Sequence, residues 1–437
     1  AITLRSEDPL DPVVVENTEI HLEDTSGNVV MFTSGEGPGS VIDGLRISGY
    51  ESSYGPPGSG IFCQNSSPTI RNSVLSDSHS TVHGGGGMYL DNCSPLIADS
   101  TIRDNIVSSH QGGGIYAVNG SAPTIENTVI QGNTGNGGGG IFLADSSPHI
   151  TGSTISGNWG GQGGGIYVGT DSAPLIEGTT ISGNWGTSGG GVYAYMSTPV
   201  VRDSTIELNY AESAMASGGG IYSYFSDVSV VNTTVRANYS KMYGGGILAF
   251  GGSPIYDSSR IYNNYTTYNT GLGGGFYFMD ASPTIVNCDI YGNGEDPNTG
   301  TLAQYGGGIA MLGETTATRI VNTTIVGNSA VFGGGGIYQA YDPTFYNAEV
   351  VNSILYFNTP TQVWVSTQNP DPAITYSDVE DGWPADPSNI AQDPLLVDIS
   401  DPDPANWDLH LQSGSPCRDI GDPNSLPPAF PEYDGEG

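Results

Sequence analysis

Positive charge is scarce in this chain. Its 437 residues hold 10 Lys+Arg against 45 Asp+Glu, a net charge of −35. Lys241 is the single lysine. A surface of that sign repels phosphate backbones and anionic lipids, so neither nucleic acid nor membrane insertion is expected. It suits solubility at high salt or association with divalent cations. Apolar runs long enough to span a bilayer are lacking, as are a signal peptide and a lipidation motif. Amphipathic windows of helical period are lacking too, so the chain reads as all-β.

Glycine, by contrast, is abundant and ordered. Runs of three or four glycines, or Gly-Ser-Gly in the first case, are followed by Ile61, Met88, Ile115, Ile141, Ile166, Val192, Ile221, Ile247, Phe276, Ile309 and Ile337, at steps of 25 to 33 residues. A period of this size predicts a solenoid whose rungs bury their apolar faces only against one another. One repeat, GGGGIFLADSSPHITGSTISGNW, has short β-rich runs separated by Gly, Ser, Pro and Asn. Three strands per rung fit this length. Roughly fifteen rungs stacked about 4.8 Å apart give a rod on the order of 70 Å, with right-handed crossovers.

Polar residues recur as regularly. Asn105, Asn133, Asn158, Asn184, Asn209, Asn238, Asn264, Asn293 and Asn328 form one column. Stacked Asn side chains can bond rung to rung and tolerate a left-handed bend. A second column holds only Asn, Asp or Gly: Asn72, Asp99, Asn127, Gly152, Gly178, Asp203, Asn232, Asp257, Asn287, Asn322 and Asn352. Those residue types accept positive φ. Prolines from Pro68 to Pro283 form a third column. All three read as scaffold. Cys63, Cys93, Cys288 and Cys417 fall at different points of the repeat, which predicts buried free thiols rather than rung-to-rung disulfides.

The units SSPTIRNS, SAPTIENTVIQGN and SSPHITGSTISGN, with their GGGIY starts, resemble the right-handed parallel β-helix repeat proteins of bacteria, within the wider pectate-lyase-like superfamily. The tail at 389–423 looks like a closing segment of the same secreted family, and the opening AITLRSEDPLDPVVV resembles an internal rung. The resemblance covers essentially the whole chain. It implies an extracellular or cell-surface protein, truncated or processed at both ends. The expected architecture is a single right-handed parallel β-helix, regular over 1–345, with irregular last rungs and a C-terminal cap over 346–437. Activity does not follow, because the resemblance spans enzymes and adhesins alike.

Four features are candidates for function. The residue after each inward apolar residue points outward, giving a stripe that includes Phe62, Tyr89, Tyr116, Phe142, Tyr167, Tyr193, Tyr222 and Tyr277. It suits a protein partner, a glycan, or cover by the chain itself. The loops between the Asn column and the next glycines vary from 3 to 12 residues. There Trp159 and Trp185, followed by Tyr210, Tyr239 and Tyr265, make a candidate aromatic platform or a shield for the turn. His79, His83 and His110, with Asp77, lie in neighbouring loops, where they would ligate zinc or copper or stay solvated. The acidic tail, from Asp378 through Glu380, Asp381, Asp386, Asp393, Asp398, Asp401 and Asp403 to Asp408, suits calcium or a solvated cap. Asn-x-Ser/Thr sites at Asn65, Asn92, Asn119, Asn232, Asn238, Asn264 and Asn322 are open to glycans on composition alone.

Lyases and epimerases of the resembled superfamily need a base beside a cation. Arg71, Arg103, Arg202, Arg236, Arg260 and Arg319 lie on separate rungs, and the Asp-Pro-His-Glu and Arg-Ile-Lys motifs are missing. A hydrolase pairing Asp145, Asp171 or Asp280 with another acid stays open. The favoured reading is a non-catalytic structural or adhesive surface protein, self-associating head to tail into fibres. The alternative is a polysaccharide-binding or polysaccharide-cleaving β-helix. Converging charged residues in a concave face would favour the enzyme.

Overall fold

A computed structural model describes residues 2–25, 28–51, 60–81, 83–213, 217–313, 317–340, 348–366, 371–383, 386–418 and 421–422. Each repeat lays down one rung. In a typical rung the strands are Ile141–Ala144, His149–Thr151, Thr154–Ser156 and Trp159–Gln162. Equivalent strands of successive rungs pair in parallel and in register, as in Ile115↔Ile141↔Ile166 and Ile130↔Ile155↔Ile181. The strands after the glycines make a sheet of 13, the next position a sheet of 14, and the last two positions one assembly of 22. The chain is therefore an all-β parallel solenoid, and its described residues make slightly fewer than the roughly fifteen rungs expected from the repeat length. The fourth strand is a correction: the segment expected as a loop at Trp159 and Trp185 is strand, as Trp159–Gln162 and Trp185–Ser188.

Strand alternation builds the core. Thr154 and Ser156 face out while Ile155 faces in, and the branched side chains suit a pleated, half-buried surface. Ile115, Ile141, Ile166, Ile221 and Ile247 stack inside the rod at 0 or 1 % exposure. Each contributes about 1.5–3 kcal/mol by burial. The other two walls repeat the pattern with Ile125, Ile150, Ile176 and Ile130, Ile155, Ile181.

The Asn column forms a continuous buried ladder. Asn184 Nδ2 donates to Ile155 O at 2.9 Å and to Asn209 Oδ1 at 2.9 Å. Asn184 Oδ1 accepts from Asn158 N at 3.0 Å and from Asn158 Nδ2 at 2.9 Å. The ladder extends past the expected residues to Asn358, and Gln362 closes it by accepting from Asn358 Nδ2 at 2.7 Å. The left-handed bend lies one residue earlier than expected, at Asp104, Gly132, Gly157 and Gly183, so the Asn side chains are left to bond. The second column is confirmed as left-handed, except that Ser258 rather than Asp257 takes the positive φ. Serine and threonine fill the neighbouring corner. There Ser153 Oγ donates to Thr151 O and accepts from Thr128 N, at 2.9 and 3.1 Å.

The glycine run fits against this ladder. Gly138 has φ +58°, and a Cβ on Gly140 would lie 2.6 Å from Gly165 O and 3.1 Å from Asn158 Nδ2. Only bare backbone passes between the rungs there. The proline column uses its carbonyls, which need no N–H in return: His149 N donates to Pro123 O and Leu175 N to Pro148 O.

Two cysteines depart from the expectation. Cys63 and Cys93 form a disulfide between adjacent rungs, with Cα atoms 6.3 Å apart. Cys63 faces inward near the end of its strand, and Cys93 takes the corner place that Ser66 and Ser121 occupy on neighbouring rungs, so the two thiols meet at one corner. Cys288 is a buried free thiol, as expected, and Cys417 is free and half-buried.

The ladders continue past residue 345 through Glu349–Val351 and Ala373–Thr375. The chain then turns back. Leu396–Asp398 and Asp408–Leu411 form a small antiparallel sheet. This strap lies along the outside of the 22-stranded assembly, where Trp407, Leu409 and Leu411 pack with Val326, Tyr356 and Leu396.

Replacing Asn184 by Ala removes a donor to two rungs and orphans buried groups. It should cost about 1–3 kcal/mol. Urea denaturation of the full chain reads this out, and an unchanged midpoint would count against the ladder.

Candidate binding surfaces

Trp159 and Trp185 are register partners on adjacent strands and remain open, at 40 and 42 % exposure. Alternation turns the next residues, Gly160 and Gly186, toward the glycine runs, where a Cβ on Gly160 would lie 2.7 Å from Gly163 O. The indoles therefore project outward. Further along the column the rings cover one another: Tyr210 and Tyr239 stack at 4.5 Å and Tyr239 and Tyr265 at 5.3 Å. The open aromatic part of this edge is the tryptophan pair.

Along the aromatic stripe the rings cover one another, the last of its three readings. Tyr116, Phe142 and Tyr167 stack face to face at 4.9 and 4.7 Å, and Tyr167 meets Tyr193 at 5.3 Å. Tyr193 is only 5 % exposed, with Tyr222 and Tyr277 similarly buried, so it presents no open face. Tyr195, Tyr224 and Phe250 pack against this column, as do Tyr243 and Leu272 from the intervening segments. Burial pushes the hydroxyls of Tyr89 and Tyr222 up to about 12 and that of Tyr193 further still. Tyr167 is half-buried and its hydroxyl is likewise raised.

The histidines do not gather. His79 is engaged by Ser108 Oγ at 2.7 Å, and His83 and His110 meet edge to face at 6.3 Å. Asp77 accepts from Arg46 at 2.9 Å. His79 belongs to a strand paired with Ile106–Val107, and His83 lies beyond that strand's end. Among the described residues no group of three His, Cys, Asp or Glu could hold a metal ion, so zinc or copper at His79, His83 and His110 is withdrawn. The same finding bears on calcium at the acidic tail. Its carboxylates close local turns instead: Asp398 accepts from Ser400 N, Asp401 from Asp403 N and Asp403 from Ala405 N. Asn238 and Asn264 lie fully buried in the ladder, which removes them as glycan acceptors.

Most cations are paired across rungs. Arg71 meets Asp43 at 3.0 Å, Arg202 meets Glu177 at 2.7 Å, Arg236 meets Glu207 at 2.7 Å and Lys241 meets Glu212 at 3.3 Å. Arg260 differs. It is well exposed, and its nearest carboxylate among the described residues is Asp289 at 3.9 Å. Arg260 and Asp289 interrupt an outward column of Thr205, Thr234 and Thr324. That interruption is the trace in the sequence of a feature the sequence reading missed. The strap adds Trp407, Asp408, Leu409 and His410, and together with Tyr291 these line an open cleft of about 330 Å³. Asp408 Oδ1 lies 2.6 Å from His410 Nδ1. Burial raises the Asp289 carboxyl, against the pull of Arg260 and His410.

Comparison with known families now decides the class. The family described as right handed beta helix region matches residues 11–130 and 97–264, more than half of the chain. The chain belongs to that right-handed β-helix family. A search of curated proteins gives no match. Membership of the β-helix family accounts for the stacked rungs and does not by itself assign a role to the edges or the cleft.

The buried tyrosines set an alkaline limit for this β-helix. A phenol whose pKa is raised in the fold stabilises it below the ordinary value near 10, and that contribution is lost as pH rises through the folded value. Absorbance at alkaline pH should therefore show Tyr89 and Tyr222 ionising near 12, together with loss of structure. Titration of all tyrosines near 10 in the intact fold would contradict the packing.

Proposed function

We propose that this β-helix is an extracellular structural or adhesive rod without catalysis. It displays binding groups along its edges and associates end to end through the strand edges that a solenoid leaves at its ends. The carrying observation is the open Trp159–Trp185 pair, held in register on a rigid edge. Indoles so placed bind flat apolar faces, on a glycan or a protein, with little entropy left to lose. Two observations support the setting. The Cys63–Cys93 disulfide fits an oxidising compartment. The cross-rung ion pairs direct most of the few cations to the rod itself rather than to a substrate.

A second reading has its own observation. Arg260, Asp289, Asp408 and His410 converge on the cleft beside Trp407, which favours a polysaccharide-active site there.

Incubation with pectin, alginate and neutral glycans separates the two. A rod releases no product, and changing Trp159 and Trp185 together to Ala weakens retention on bound surfaces by about tenfold or more with the fold intact. Turnover that disappears in Asp289→Asn or Asp408→Asn would overturn the non-catalytic reading. Electron microscopy of the native protein should show end-to-end filaments; monomeric rods alone would remove the assembly part.

A further inference from the structure

One corner of the rod changes character part-way along it. In the turns after many strands of the 13-stranded sheet a left-handed residue appears: Asn65, Asn92, Asn119, Asp145, Gly251 and Asp280 all have positive φ. Short polar side chains or glycine relieve that conformation. On two consecutive rungs the place is taken by Met196, at φ +48°, and Phe225, at φ +46°. Large apolar residues are disfavoured there by their own backbone, and here they are also solvent-exposed, at 47 and 48 %. Leu208, Phe357 and Tyr376 also combine positive φ with exposure, but on other turns.

The pair continues an apolar surface. The last residues of the adjoining strands change along the rod from Gln64, Asp91, Val118 and Ala144 to Tyr195, Tyr224, Phe250, Met279 and Leu312. Tyr195 and Tyr224 stack at 5.5 Å and Tyr224 and Phe250 at 5.3 Å, while Phe225 meets Phe250 edge to face at 5.3 Å. Gly251 makes room for the Phe225 ring, since a Cβ there would lie 2.5 Å from it. The rings face one another, so the surface offers edges and side-chain tips, which suit side-chain packing better than sugar stacking. Acids frame it: Asp145 and Asp171 lie at the preceding turns, Asp227 in the Phe225 turn and Asp280 beyond.

We infer that Met196 and Phe225, with Tyr195, Tyr224 and Phe250, form a docking surface for a protein segment carrying apolar and basic side chains. The acidic frame selects the basic groups, and the net charge of −35 opposes a second copy of this chain at the same place. The inference deepens the reading of the rod as a binding scaffold and rests on it, but it uses a different corner from Trp159 and Trp185.

The test uses the full chain and a short labelled peptide that alternates Lys with Leu, beside a Glu-for-Lys counterpart. Two double variants fit the backbone better than the native residues: Met196→Asn with Phe225→Asn, and Met196→Gly with Phe225→Gly. Both keep the charge. The Lys peptide should bind the native protein and bind either folded variant about tenfold or more weakly, and the variants should match or exceed the native thermal midpoint. The Glu peptide should not bind. No binding of the Lys peptide, equal binding to native and variant protein, binding of the Glu peptide, or a native dimer in sedimentation that the variants lose would each overturn the inference. Loss of Trp159 and Trp185 should leave peptide binding unchanged, so failure here is distinguishable from failure of the adhesive reading.

Discussion

The rod depends on parallel strands staying in register from rung to rung, and the buried Asn ladder is what pins that register. Each Asn side chain serves as donor and acceptor to its neighbours, so a slip by one residue would leave amides unpaired in a dry interior. The glycine runs follow from the same constraint. They let the backbone of one rung lie directly against the next, beside the ladder, where any side chain would force the rungs apart. The Ser and Thr corner does the same at smaller scale. A chain with so few cations is thus held together chiefly by neutral hydrogen bonds and apolar stacking, which salt screens little.

Because the interior is so uniform, variation lies outside. The outward columns change character along the rod: threonine gives way to Arg260 and Asp289, and small or polar strand ends give way to Tyr195 and Tyr224. Such breaks cost nothing in register, since the backbone pairing beneath them is unaltered. They are where a solenoid becomes individual.

The fold was legible in the sequence because glycine, isoleucine and asparagine recur at nearly constant spacing, and each demands one place in the rung. The left-handed position was misplaced by one residue because Gly and Asn, adjacent at Gly157 and Asn158, both tolerate it. The disulfide was hidden because Cys63 and Cys93 share a corner of space without sharing a place in the repeat. Alternation correctly turned Tyr193 outward but carried no information on the neighbouring rings and on Tyr243 and Leu272, which cover it. Trp159 and Trp185 were found, though as loop residues rather than strand. The cleft beside Trp407 joins segments far apart in the chain, which no local pattern encodes. The spacing of His79, His83 and His110 could not show which loop side chains converge, and among the described residues no three of them form a metal-holding group.

The strap has a consequence for the order of assembly. Rungs grow by contacts between residues one repeat apart, a local process that can proceed as the chain lengthens. The bond from Asn263 Nδ2 to Asp403 Oδ1 instead spans 140 residues, and Trp407 lies against Tyr291 on a rung completed long before. The strap can dock only after the rungs beneath it and those beyond it have formed. During synthesis the side chains of Tyr291, Val326 and Tyr356 therefore pass through an interval of exposure, and the strap's arrival marks completion of that flank.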